Sequence, residues 1–173
     1  MNPMGFWHQA ALVVAMSAMV ASPAYADCDP PRSARVALAR ATLVFRGTVR
    51  EIKNIGGLAG NQGRAVPWKA TVVTFDVSAK WKGVVARRFT LHLLPFNPDD
   101  ADVRLDKGKE YLVFAELNPV EKSAVMGVHR DTYGTSRCRG TGPIRSSIPF
   151  EVERAKSYLR ELGPGQAGSD APK

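Results

Sequence analysis

His129-Arg130-Asp131 offers an imidazole and a carboxylate two residues apart, the side-chain types of a metal site. A metal site needs three or four converging ligands, and no third accompanies this pair. His92 stands alone in the polar phase of a strand-like segment, where a surface or cross-strand histidine belongs. No serine has the G-x-S-x-G context of a nucleophile elbow. Gly140-Thr141-Gly142 looks like part of a phosphate loop but runs into Pro143 rather than G-K-[ST] and a helix, so it reads as a turn. Asp99, Asp100, Asp102 and Asp106, with Gly108 and Glu110, suggest a calcium loop. Its sixth position is Leu105 or Lys107, depending on the frame, where an EF-hand needs glycine. No catalytic residue, metal ligand or cofactor is assigned, and the expected class is non-enzymatic.

The basic residues make a stronger pattern. Lys and Arg total 24 against 16 Asp and Glu, a net charge of +8 over 173 residues. Arg46 and Arg50 share a face of one strand-like segment, Lys80 and Lys82 lie on the polar face of the next, and Arg87-Arg88 open a third. Arg137, Arg139 and Arg145 bracket Cys138. Such a face can attract an anionic polymer or lipid headgroups. Nucleic acid is not the expected partner, because single-strand binding uses outward aromatics as stacking platforms. Here Phe45, Phe75, Trp81 and Phe89 fall in the inward phase.

Composition bounds the rest. Charged residues at 23% and hydrophobic ones at 45% match a soluble globular chain of one domain. Residues 10–21 form an uncharged run too short to span a bilayer, which takes about 20 apolar residues. The run ends at Ser22-Pro23 and is followed by Ala24-Tyr25-Ala26, with small residues where a signal peptidase wants them. Residues 1–26 therefore read as a signal peptide cleaved after Ala26, although their start carries no Lys or Arg. Export to the periplasm or beyond the cell is expected, with no transmembrane anchor left after cleavage. The 2 cysteines exclude a disulfide-dense miniprotein and a Cys₄ zinc site. In an oxidising compartment they make one Cys28–Cys138 disulfide most simply, with free thiols or intermolecular pairing as the alternatives. A bridge of that span contributes up to about 4.7 kcal/mol by loop-closure arithmetic.

The elements that must position these residues follow from periodicity. Ser33–Ala41 reads as a short helix with Val36, Leu38 and Ala39 available to pack. Leu43, Phe45, Gly47 and Val49 alternate with polar residues as a half-buried strand. Residues 56–66, rich in glycine, read as a flexible loop before Pro67. Val73, Phe75, Val77, Ala79 and Trp81 form the apolar phase of the clearest strand, which Gly83 ends. Phe89, Leu91 and Leu93 repeat the pattern. Residues 110–117 (EYLVFAEL) are apolar in both phases, as expected of a strand covered on both sides. Ser123–His129 is a weaker strand, and Tyr133–Arg137 can extend the ladder towards Cys138. Val152, Ala155, Tyr158, Leu159 and Leu162 recur at helical spacing after Pro149, with Glu151 and Glu153 in the first turn, where they complement the helix dipole. Gly163-Pro164-Gly165 stops that helix, and residues 163–173 read as a disordered tail.

The order Cys28, short helix, ATLVFRGTV, VTFDVSAKWKG, FTLHL, KGKEYLVFAEL, SRCRGTGPI resembles bacterial exported proteins with the fold of tissue inhibitors of metalloproteinases, which belong with the netrin-like modules. The resemblance spans roughly residues 28–162. Its most specific pieces are Val77–Gly83, Gly108–Ala115 and Cys138–Pro143. It implies a mainly β domain over residues 27–162: a five-stranded Greek-key barrel of OB type with a short N-terminal helix and a C-terminal helix. It also implies a mechanism in which the α-amino group and carbonyl of an N-terminal cysteine chelate a protease zinc. Only Cys28 carries over to that role. Predicted cleavage leaves Asp27 in front of it, and residue 30 is Pro where the pattern has a second Cys. The sequence-level expectation is thus a monomeric protein-interaction module of the cell envelope with an unknown protein partner. Metalloprotease inhibition through Asp27, Cys28 and Asp29 is one alternative. Anionic-polymer binding through Arg46, Arg50, Lys80, Lys82, Arg87 and Arg88 is the other.

Overall fold

A computed structural model describes residues 29–61, 64–93, 103–118 and 132–168. The first element is helix α1, Ala34–Arg40, whose start is capped by Ser33 Oγ accepting from the Val36 N–H at 3.3 Å. Its buried face is Ala34 and Ala37, continued by Ala41, with Leu38 partly buried; Val36 and Ala39 face solvent. The expected packing set therefore holds only at Leu38. Alanines let the helix backbone approach its neighbours closely, and the larger Val36 sits on the opposite side.

Strands β1 (Leu43–Asn61) and β2 (Arg64–Lys82) pair as one long antiparallel hairpin. Residues 56–66, expected as a loop, lie largely within it: Gly56 pairs with Lys69, and the ladder continues to Asn61 opposite Arg64. Glycine disfavours a strand only weakly when pairing propagates from a strong β-branched segment such as Thr71-Val72-Val73. Composition alone misreads such a stretch. β3 (Arg88–Leu93) pairs with the other edge of β2, and β4 (Glu110–Leu117) with the other edge of β1. β5 (Tyr133–Thr135) and the two-residue β6 (Gly142–Pro143) both pair with β4. The sheet order is β3-β2-β1-β4-β5, all antiparallel, with β6 beside β4.

The described fold is thus mainly β, as expected, but with six strands rather than five. The extra strand is too short to show any period in the sequence. The ladder is also unclosed among the described residues, although its two edges curl together. Asn118 Nδ2 donates to the His92 carbonyl at 3.1 Å, and the Phe89 and Tyr133 rings lie 5.7 Å apart.

β4 divides the core in two. Tyr111, Val113 and Ala115 enter one cluster with Phe45, Val73, Phe75 and Leu91; Leu112 and Phe114 enter the other with Ala37, Val44, Ala155 and Tyr158. All five residues from Tyr111 to Ala115 are buried, so the doubly covered strand read from its apolar run is what the fold contains. Trp81 was expected inward with Phe75 but packs on the second cluster, its Nε1 donating to the Gly163 carbonyl at 3.0 Å. The register explains this. Gly47 opposes Val77 and Arg46 opposes Ala79, leaving Ser78 as an extra residue that flips the phase of β2 between Phe75 and Trp81.

Helix α2, Pro149–Leu162, closes the second cluster with Val152, Ala155 and Tyr158, as its periodicity predicts. Gly163 ends it with φ 70° and ψ −163°, a backbone conformation open essentially to glycine alone. Beyond it the chain stays on the molecule: Gln166 exchanges both backbone hydrogen bonds with Lys80, at 2.7 and 2.8 Å. The loose tail expected from residue 163 is therefore tied down there. Among the described residues no helix is long and apolar enough to cross a membrane.

Candidate functional site

The basic residues singled out from the sequence divide into two kinds. Arg46 grips Glu110 through both Nε and Nη2, at 2.7 and 2.8 Å, and this hydrogen-bonded pairing raises the guanidinium pKa. Lys82 turns away from the face expected of it: its Nζ donates to the Leu38 and Ala39 carbonyls at 2.8 and 3.4 Å. A cation at a helix C-terminus satisfies orphan carbonyls and complements the dipole, so Lys82 serves α1. Lys80 lends its backbone to Gln166. The side chains of Arg46 and Lys82 are committed to structure.

Arg50 and Arg88 are placed differently. Both meet Asp76, from opposite sides, at 3.3 and 3.6 Å. Asp76 opposes Thr48 on β1 and Arg88 on β3, so Arg88 is its direct cross-strand partner. Arg50 reaches it because of a bulge. Val49 pairs with Phe75 and Glu51 with Thr74, so Arg50 is an extra residue whose side chain is re-aimed. All three side chains are at least half exposed. Asp76, Arg87 and Arg88 line an open groove of about 450 Å³ with Val77, Ser78, Ala167 and Gly168. The sequence reading found these cations and overlooked Asp76, the carboxylate on which Arg50 and Arg88 converge.

The second candidate is the N-terminal segment. Asp27 and Cys28 lie outside the described residues, while Asp29 is exposed. From Pro31 onward the segment is held firmly. The Tyr158 hydroxyl donates to the Pro31 carbonyl, and the Ala34 and Arg35 N–H groups donate to the two Glu161 carboxylate oxygens at 2.8 and 3.1 Å. One helix thus fixes both the lead-in and the first turn of another. Tyr158 was legible only as an apolar residue of α2; its polar tip was the available signal of a second role. Glu161 carried no signal, because its partners lie 126 and 127 residues away.

Beside this segment runs the 3₁₀ turn Arg137–Arg139, which holds Cys138. Cys138 is not a free thiol. Arg137 pairs with the mostly buried Glu151 at 3.2 Å, and Arg139 with Glu116 at 3.2 Å. Burial, the main cause, lowers the pKa of the nearby Arg154 guanidinium. Gly140, at φ 99°, caps the turn where an added Cβ would meet the Tyr158 ring at 3.0 Å. Thr141 is fully buried; its hydroxyl accepts from the Phe114 N–H at 2.9 Å. Gly140-Thr141-Gly142 is therefore a packed turn that locks β4, as its Pro143 suggested.

The remaining sequence candidates come to less. His129, Asp131, Asp99, Asp100 and Asp102 lie outside the described residues. Glu110 is occupied by Arg46, and the Asp106 N–H donates to the Tyr111 hydroxyl at 2.9 Å. Among the described residues there is no group of three or more His, Cys, Asp or Glu side chains that could hold a metal ion. Neither a scan against protein-family models nor a search of curated proteins returns a match for this chain.

Proposed function

We propose that this chain is an exported, non-enzymatic protein-interaction domain of the cell envelope that presents its N-terminal segment as a rigid epitope. The observation that carries this reading is the clamp on residues 31–35: Tyr158 and Glu161 hold a segment whose outer residue, Asp29, is exposed. Preorganising a binding segment removes much of the ordering cost of association. A signal peptide cleaved after Ala26 and a Cys28–Cys138 bridge belong to the same reading, the bridge fastening the segment one residue before Asp29. The OB-type barrel of the metalloproteinase-inhibitor resemblance is supported by the strand order. With β3 and β5 in side-chain contact, the path β3-β2-β1-β4-β5 needs only that seam to close into a five-stranded barrel.

A photo-crosslinking residue at position 29 of the exported protein tests the proposal. It should trap one partner of defined mass, and Glu161→Ala, which frees the segment, should weaken the capture. Repeated empty captures, or equal yield from a crosslinker at exposed Val84, would sink it. A second reading is metalloprotease inhibition, favoured by the same clamp standing beside Cys138. It requires trimming to a free Cys28 amine, since an amide nitrogen is a poor zinc ligand. The mass of the mature N-terminus decides: an intact Asp27 removes this reading and leaves the first in place.

A further inference from the structure

The groove beside β2 stands apart from the N-terminal epitope and has a chemistry of its own. Two arginines from different strands converge there on a single carboxylate, leaving a local excess of positive charge. Their contacts with Asp76 are single and long, 3.3 and 3.6 Å, whereas Arg46 makes two bonds to Glu110 at 2.7 and 2.8 Å. Exposed ion pairs of this kind contribute little to stability. A guanidinium carries five N–H donors in a fork matched to carboxylate and phosphate, so each arginine can exchange Asp76 for a better acceptor at small cost. The surroundings provide the room. About 450 Å³ lies open between the Asp76–Arg88 pair and the tail at Gly168. An added Cβ at Gly168 would stand 3.4 Å from Arg87 Cα and from the Val77 carbonyl. The tail therefore forms a close wall of the groove.

We propose that this groove binds the oxyanion groups of an extended anionic polymer, with Arg50 and Arg88 turning from Asp76 to the ligand. The bulge that re-aims Arg50 is the structural device behind the site, because it brings a β1 cation to the β2–β3 face. The recognised chemistry is a repeated phosphate or carboxylate, and the two sources are separated by the probes.

Fluorescent polyphosphate and poly-L-glutamate, titrated at fixed ionic strength and followed by anisotropy, test the site. The full chain should bind at least one of them, and the preferred probe names the source. Arg50→Gln with Arg88→Gln should weaken that binding about tenfold or more, as expected for two charged hydrogen bonds. Asp76→Asn, which removes the competing carboxylate, should strengthen it about threefold or more. Charge-matched controls lie on the exposed side of α2: Lys156→Gln with Arg160→Gln should change it less than about twofold, and so should Glu153→Gln. Thermal melts check that every variant is folded. Failure of both probes to bind, or equal shifts from the α2 controls, would overturn the proposal and mark the charge as a nonspecific patch. Neither result touches the crosslinking test at position 29.

Discussion

Where the helices cover the outer face of the sheet and where they leave that face open, polar groups are used in opposite ways. Beneath α2, the Tyr158 and Thr141 hydroxyls each bond backbone groups far away in sequence, and Glu151 holds Arg137. Solvent is scarce there, so a polar atom left without its partner costs its full desolvation, about 1–3 kcal/mol. On the open side, Arg50, Asp76 and Arg88 touch loosely in water, where losing a partner costs little. The lesson is that burial turns polar contacts into architecture, whereas exposure keeps them exchangeable. An exchangeable set of cations is what a ligand can recruit.

The comparison breaks most sharply at Phe114. This ring is fully buried and meets Tyr158 edge-on, with centroids 5.7 Å apart. Phe114→Ala should cost about 3–5 kcal/mol in denaturant titration, because the void lies between β4 and α2 where neither can easily collapse. A loss below about 1 kcal/mol would show that the helix side is not a packed core.

Tyr158→Phe keeps the ring and removes only the hydroxyl. It should cost about 1–3 kcal/mol, since the Pro31 carbonyl then loses its donor, and limited proteolysis should cut sooner near residue 31. Unchanged stability and unchanged cleavage would mean that the segment is held by other contacts.

Tyr158 and Tyr111 also give the helix-covered side and the inner core a pH signature. Burial raises both phenol pKa values above the ordinary 10.0. A raised acid favours its neutral form in the folded state, so this contribution is fully present below pH 10.0 and is lost as pH climbs through the folded pKa values. Unfolding free energy should therefore fall on the alkaline side. Tyr158→Phe should blunt that fall, and an identical alkaline profile in the variant would contradict the assignment.

The smallest effects separate the two kinds of arginine on the open side. Arg46→Ala should destabilise by about 1 kcal/mol, because its bidentate pairing leaves Glu110 half-buried and alone. Arg88→Ala should fall within about 0.5 kcal/mol of wild type. If the two losses are equal, the contrast between committed and exchangeable cations fails.

Much of this molecule could be read before it was folded. The apolar run Tyr111–Ala115 has no polar phase, so it had to be covered on both sides, and α2 repeats its buried residues every third or fourth position. Those elements carry their own environment in local periodicity. The sequence also singled out Arg50 and Arg88, because charge is a property of the residue wherever it lies.

Other features depended on neighbours that local sequence does not contain. Residues 56–66 joined a hairpin because pairing ran outward from Val73 opposite Ile52. Trp81 changed face because β2 carries an extra residue, Ser78, between it and Phe75. β6 exists only as two residues held against Tyr111 and Leu112. Lys82 and Arg88 look alike in the chain, yet one caps α1 and the other lines a groove. The amino-acid order by itself determined which segments could bury an apolar face and how much charge the surface would carry. Tertiary structure alone decided which charges were committed and which stayed available, because that depends on partners brought close by folding across large sequence separations.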